Sequence, residues 1–303
     1  MFRRLNRFKS TLGSSGDNRL TAAPIGVFDS GVGGLTVLRQ LQQQLPHESI
    51  LYFGDTANLP YGTKTADEIC QLTRAILQWM VAYPVKMVVM ACNTSSALAL
   101  ETVRSEFDMP ILGVILPAAQ AAVQSGDRIG ILATPATTSS HAYRRAILEI
   151  NPRATVWEVG CPEFVPLIEA GQVNSPETYT VVQRYLAPLI DQQIDTLVYG
   201  CTHYPHLAPI IDGLLPSSVQ VIDPAIAVSK AVAQELTLLG HKENRLKFGT
   251  TVTNSFFVSD RPHRFSQLAT RLLDYKVSAK RITLKQSRPF SSSATVNPFL
   301  DLR

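Results

Sequence analysis

The chain has 303 residues, 45% of them hydrophobic and 17% charged, a composition that suits a globular protein with two cores of about 150 residues each. A formal net charge of +4, carried in part by the terminal Arg3, Arg4, Arg7, Lys9, Arg288 and Arg303, is too mild to indicate nucleic-acid binding, and no apolar stretch approaches the roughly 20 residues of a membrane helix. Four cysteines in a chain this long do not read as a disulfide framework, and Met1 to Pro24 lacks the apolar core of a secretory signal, so a reducing, cytoplasmic setting is expected. An organelle transit peptide would share the composition of that first segment, but the simpler reading is a flexible tail over 1–24, matched by another over 288–303.

Between the tails, apolar runs of strand length alternate with helical patterns. Strands are predicted at Ile25–Phe28, Ile50–Gly54, Val85–Ala91, Ile111–Ile115, Ile129–Ala133, Thr155–Val159, Thr196–Gly200 and Val219–Ile222. Continuous apolar runs suit strands covered on both faces, as in a parallel sheet. Leu35, Leu38, Leu41 and Leu45 keep helical spacing, and so do Ile69, Leu72, Ile76 and Met80. Thr65 with Glu68 three residues later predicts a capping box at the start of the second helix. Ala97, Leu100, Val103 and Phe107 make a third stripe. The alternation implies an α/β fold with crossover helices.

The chain also echoes itself. Ile25-Gly26-Val27-Phe28 resembles Ile129-Gly130-Ile131-Leu132, and nearly the same offset separates Cys92 from Cys201. Each of these cysteines ends a buried strand and precedes small polar residues, Asn93-Thr94 in one case and Thr202-His203 in the other. The expectation is two similar doubly wound domains with mainly parallel sheets, each giving one thiol to a site in the cleft between them. In open α/β sheets, ligands sit beyond the carboxyl ends of the strands. A following helix would present free N–H groups there and lower the pKa of a thiol. Cys70, inside an amphipathic helix, and Cys161, before Pro162, read as packing residues.

The first strand runs into Asp29-Ser30-Gly31-Val32-Gly33-Gly34, a glycine-rich turn able to cradle a phosphate or a carboxylate with backbone amides. A dinucleotide site is disfavoured, because the third glycine of its fingerprint would fall at Thr36 and no Walker lysine follows. Asp55 ends another strand and is followed by Asn58-Leu59-Pro60-Tyr61-Gly62, where Tyr61 and Gly62 offer a ring wall and backbone donors. His203 is placed to polarise or protonate Cys201. Cys201-x-His203 is also half of a zinc pattern, but no compact partner pair exists, so no metal is expected.

Taken together, these segments closely resemble the cofactor-independent aspartate/glutamate racemase family. The stretches that carry the resemblance are Phe28-Asp29-Ser30-Gly31-Val32-Gly33-Gly34-Leu35-Thr36-Val37, Gly54-Asp55-Thr56 with Pro60-Tyr61-Gly62, Ala91-Cys92-Asn93-Thr94, and Gly200-Cys201-Thr202-His203-Tyr204-Pro205. They run in the family order from about Ile25 to Leu284. The Asp-Ser-Gly run followed by Gly-Gly favours glutamate over aspartate as substrate. The resemblance implies interconversion of L- and D-glutamate, supplying the D-isomer for peptidoglycan. It implies Cys92 and Cys201 as the acid–base pair, and Asp29, Ser30, Tyr61, Gly62, Asn93, Thr94, Thr202 and His203 as substrate contacts. Asp55 and Glu169 fall where the family has polar helpers, although nearby Glu163 competes with Glu169 for that assignment. Domains are expected at 25–115 plus 225–287 and at 116–224, and a homodimer is a family expectation.

Inverting a stereocentre by proton exchange needs a base on one face of Cα and an acid on the other. Thiols suit both roles because their pKa lies nearer neutrality than that of Ser or Lys. No cofactor is implied, since a pyridoxal site needs a Schiff-base lysine and none adjoins these loops. Two other readings compete. A cysteine-nucleophile hydrolase or amidotransferase would use Cys201 with His203 but leaves Cys92 idle. A two-lobed small-molecule binding protein fits the fold class but needs no thiols.

Overall fold

The computed structural model describes residues 21–243 and 252–284; the expected tails lie outside the described residues except for residues 21–24. Two parallel sheets organise the chain. The first contains β1 (Ile25–Asp29), β2 (Ile50–Gly54), β3 (Met87–Met90) and β4 (Ile111–Gly113), joined later by β9 (Asn254–Val258) and β10 (Ala279–Arg281). The second contains β5 (Arg128–Ala133), β6 (Thr155–Gly160), β7 (Thr196–Gly200) and β8 (Gln220–Ile222). The orders are β10-β9-β2-β1-β3-β4 and β6-β5-β7-β8. All the ladders are parallel, with Phe28 opposite Phe53 and Met90 in one sheet and Ala133 opposite Gly160 and Gly200 in the other.

The internal echo is thus a repeated topology. The order β2-β1-β3-β4 recurs as β6-β5-β7-β8. In each sheet the winding reverses between the first and third strands, at β1/β3 and at β5/β7. Adjacent loops diverge there and leave a crevice beyond the carboxyl ends. Asp29 and Cys92 lie at the first reversal, and Thr134 and Cys201 at the second.

The helices follow from their stripes. α1 (Leu35–Gln44) buries Leu35, Leu38 and Leu41, with Leu45 buried just past its end. α2 (Ala66–Val81) opens with the expected capping box: Thr65 Oγ1 accepts from the Glu68 amide, and Glu68 Oε2 accepts from the Thr65 amide at 2.8 Å. The third stripe does not form one helix. α3 (Asn93–Leu98) stops at Ala99, α4 (Leu100–Val103) follows, and a 3-10 turn covers Arg104–Glu106. Serine side chains at its start compete for backbone groups. Ser95 Oγ donates to the Cys92 carbonyl and Ser96 Oγ to the Met90 carbonyl.

Further on come α5 (Ile115–Ser125), α6 (Pro135–Ser140), α7 (Ala142–Ile150), α8 (Phe164–Glu169), α9 (Pro176–Asp191), α10 (Ala208–Leu214), α11 (Pro224–Leu239) and α12 (Pro262–Leu273). α11 packs against both α1 and α5. One hydrophobic cluster therefore runs through both halves, joining Val27 and Val89 to Ile131 and Val156 by way of Ala118 and Val232. The predicted strand at Ile111–Ile115 is shorter than expected because α5 begins at Ile115. β9 and β10 went unpredicted, since Asn254-Ser255 and Ala279-Lys280-Arg281 carry little apolar pattern.

Lys86 interrupts the apolar run before β3 and is buried with a partner. Its ammonium meets Glu48 Oε2 at 2.5 Å, the Thr21 carbonyl at 2.6 Å and the His241 carbonyl at 3.0 Å. All three of its hydrogens are used. Glu48 Oε1 accepts from the Glu243 amide at 2.8 Å. The pair docks residues 21–24 and the end of α11 at the amino ends of β2 and β3. Among the described residues, no helix is long and apolar enough to cross a membrane.

Candidate active site

Cys92 caps the start of α3 immediately after β3, and Cys201 follows β7. Both thiols are buried, at 5% and 7% exposure. They are near enough for a negative charge at Cys201 to raise the Cys92 thiol, after the larger effects of burial and Asp29. The two crevices are stitched together by polar contacts. Thr202 Oγ1 donates to Asp29 Oδ2 at 3.3 Å, and Thr36 Oγ1 lies 3.4 Å from the Thr202 carbonyl. Thr94 Oγ1 lies 3.0 Å from Thr134 Oγ1 and 3.2 Å from Thr137 Oγ1, and those two are 3.0 Å apart. Three hydroxyls thus close a buried triangle across the cleft.

Asp29 sits at the centre, fully buried, and its Oδ1 accepts from the Gly31 amide at 2.8 Å. Its charge raises Cys92, Tyr52 and Tyr61 and also supports His203. Ser30 is buried beside it. Tyr52 donates to the Gly31 carbonyl at 2.8 Å and so holds the glycine-rich turn. That turn needs its glycines for close approach: a Cβ on Gly33 would lie 2.3 Å from Thr202 Oγ1 and 2.6 Å from His203 Nδ1. Tyr61 and Gly62 form a short 3-10 turn, where a Cβ on Gly62 would lie 2.8 Å from Thr134 Cβ. Asp55 is fully buried. It accepts from Tyr61 Oη at 2.6 Å, from Asn58 Nδ2 at 2.9 Å and from Ser259 Oγ at 2.7 Å, and so it locks the Tyr61 ring in place.

Around the second thiol, His203 Nδ1 lies 3.8 Å from Cys201 Sγ, and Nε2 lies 3.5 Å from Glu169 Oε1. Glu169, at the end of α8, therefore faces the histidine, whereas Glu163 pairs with Arg184 and accepts from Tyr185 Oη at 2.5 Å. A cavity of about 300 Å³ adjoins this side, lined in part by Val32, Glu169, His203, Arg264 and Phe265. Cys161 is packed in the second core cluster, and Cys70 donates to the Leu98 carbonyl at 3.4 Å. Among the described residues, no group of three His, Cys, Asp or Glu side chains is placed to hold a metal ion.

Two thiols at equivalent ends of repeated folds, with Asp29 shared between them, are the decisive arrangement. Residues 25–232 match the family model described as Asp/Glu/hydantoin racemase. The chain belongs to this family. It is 60% identical over 253 residues to a glutamate racemase of Nostoc sp., covering 84% of this chain and 85% of that one. It is 57% identical over 260 residues to a glutamate racemase of Trichodesmium erythraeum, covering 86% and 95%. The crystal structure of glutamate racemase from Francisella tularensis in complex with D-glutamate superposes with a TM-score of 0.82 at 33% identity, covering 88% of this chain and 100% of that one. This family member is accordingly an isomerase of the amino-acid racemase type.

The electrostatics of the racemase site correct one expectation. A helix start was expected to lower the Cys92 thiol, but burial and then the Asp29 carboxylate push it up to about 12, outweighing the hydrogen bonds from Ser95. Cys92 therefore holds its proton in the free site. The other half behaves differently. Burial pulls the His203 imidazole down, yet the contacts with Cys201 at 3.8 Å and with Glu169 at 3.5 Å, together with the charge of Asp29, raise it to about 10. The same close pairing with His203 correspondingly lowers Glu169, against the effect of burial.

A histidine raised from 6.5 to about 10 on folding is charged below that value, and its contribution is fully present below 6.5 and lost as pH rises through 10. Activity that needs the imidazolium should fall on the alkaline side. Glu169→Gln removes one support, so the alkaline limb of kcat/KM should move to lower pH. A variant profile superimposable on wild type would exclude Glu169 from that role.

Sequence reasoning missed several members of the site. Thr134, Thr137, Tyr143 and Tyr52 carry no motif of their own. One signal was available: the offset that pairs Ile25 with Ile129 carries Ser30 onto Thr134. Tyr52 and Tyr143 read only as apolar positions, because a buried phenol keeps the hydrophobic pattern and hides its hydroxyl.

Proposed function

We propose that this chain interconverts L- and D-glutamate by moving protons between Cα and two opposed thiols, Cys92 and Cys201, without a cofactor, and so supplies D-glutamate for peptidoglycan in the cytoplasm. The observation that carries the reading is the pair of buried thiols at equivalent strand ends of a doubled fold. The D-glutamate in the Francisella tularensis relative supports the substrate. A domain division at 25–115 plus 225–287 and 116–224 puts one thiol on each side, supported by the return of β9 and β10 to the first sheet beside β2.

In the free site Cys92 is proton-loaded, while the charged His203 imidazole lies beside Cys201, its Nδ1 3.8 Å from Sγ. The enantiomer whose Cα–H points at Cys201 gives its proton to that sulfur, and Cys92 delivers another to the opposite face. The reverse direction requires Cys92 to be the thiolate. Asp29 opposes that state, and a substrate ammonium beside Asp29 would offset its charge. Backbone amides near Ser30, Gly62, Asn93 and Thr94 are donors for the substrate carboxylates, held in a site that excludes water.

Glutamate turned over in heavy water should acquire one deuterium at Cα for each inversion. Racemisation without solvent deuterium would end the proton-exchange account. A parallel chiral assay on aspartate sets the substrate preference. A covalent acyl-enzyme at Cys201 detected by mass spectrometry would instead favour hydrolase chemistry.

A further inference from the structure

Asn93 opens α3 directly after Cys92 and is 2% exposed. Its Oδ1 accepts a hydrogen bond from the Tyr143 hydroxyl at 2.5 Å. A side-chain amide has one accepting end and one donating end. With Oδ1 engaged, the Nδ2 group is turned away from Tyr143. That Nδ2 is buried and has no hydrogen-bond partner among the described residues. Unpaired buried donors are uncommon, and one beside a reacting thiol calls for a partner that arrives from outside the chain.

Tyr143 is built to hold this orientation. It is fully buried on α7 within the large core cluster, so its ring is fixed by packing. Burial, with Cys201 and Asp223 nearby, keeps the phenol well above its usual range and therefore an O–H donor. The bond also crosses the cleft, since Asn93 follows a strand of the first sheet and Tyr143 belongs to a helix beside the second.

We propose that Tyr143 is a positioning residue: by holding Asn93 Oδ1 it presents the Asn93 Nδ2 donors to a carboxylate of the substrate. The substrate ammonium is itself a donor and would be refused there. Asp29, an acceptor, and Asn93, presented as a donor, thus divide the two charged ends of an amino acid between them. The inference rests on the proposed reading of the site as a glutamate racemase.

The test begins with the intact protein. The Asn93 side-chain NH₂ signals, assigned by their loss in Asn93→Ala, should shift in ¹⁵N-resolved NMR when D-glutamate is added. Unmoved Asn93 signals, while other resonances of the site respond, would overturn the proposal. Tyr143→Phe should raise KM for glutamate about tenfold with kcat within about threefold, the size expected for one oriented hydrogen bond to a charged group. In the Asn93→Ala background the same substitution should add less than about twofold, because coupled residues lose one shared interaction. Fully multiplicative losses, or a loss confined to kcat, would overturn the positioning role. If Tyr143→Phe does not fold, the NMR result on wild type decides. A wild type that neither binds nor turns over glutamate counts against the proposed substrate. An active wild type with an indifferent Tyr143→Phe counts against this inference alone.

Discussion

Cys92→Ser and Cys201→Ser should each lower glutamate racemisation by about 10²–10⁴-fold, the range lost when a positioned acid–base group is removed. Serine replaces sulfur with a smaller oxygen in positions only 5% and 7% exposed, so the fold should persist. What changes is proton affinity: a hydroxyl neither takes the Cα proton nor returns one near neutral pH. The two variants should also differ in kind. Each keeps one thiol, which can remove the Cα proton of one enantiomer and put a solvent-derived one back on the same face. Cys92→Ser and Cys201→Ser should therefore show deuterium exchange without inversion on opposite enantiomers. Exchange of the same enantiomer by both, or near-wild-type racemisation by either, would defeat the two-thiol account.

Gly33→Ala should cost roughly a hundredfold in kcat/KM although residue 33 bears no reacting group. The added methyl would sit 2.3 Å from Thr202 Oγ1 and 2.7 Å from His203 Cε1, well inside contact distance. Either the glycine-rich turn retreats, carrying Asp29 with it, or the Thr202–His203 loop does, carrying Cys201. Misplacements of about 1 Å at a reacting centre can lower rates on the order of 10²-fold. Gly213→Ala in α10 is the matched control: its Cβ meets nothing within 4 Å, and activity should be unchanged while helix propensity gains about 1 kcal/mol. Equal activity of the two variants would show that the loops yield without disturbing the thiols.

These results bear on how much the chain discloses before folding. The alternation of buried strands and striped helices is local, which is why β1 to β8 and the capping box at Thr65 and Glu68 were readable to within a few residues. β9 and β10 were not: β9, between β10 and β2, opens on the half-buried polar Asn254 and Ser255, and β10, at the sheet edge, exposes Lys280 and Arg281, where an edge position asks less of side-chain pattern. The stripe after Cys92 suggested one helix, but Ser95 and Ser96 bond back to strand-end carbonyls and the helix breaks at Ala99.

For the site, sequence by itself determined which chemistry the chain carries: two thiols on matched strands, the Asp29 turn, and the Tyr61, Asn93 and Thr202–His203 segments. Covalent order suffices for that, since each motif is a strand end and its next few residues. Only the tertiary structure decided how they act together. Whether Cys92 is a thiol or a thiolate depends first on its own burial and then on the Asp29 carboxylate nearby, and the charge of His203 depends on Cys201 and on Glu169 arriving from another helix. Asp55 turned out to hold Tyr61, and Thr134, Thr137 and Tyr143 entered from the other half of the molecule. Burial and long-range charge are set by which segments meet in space, and no local pattern encodes them.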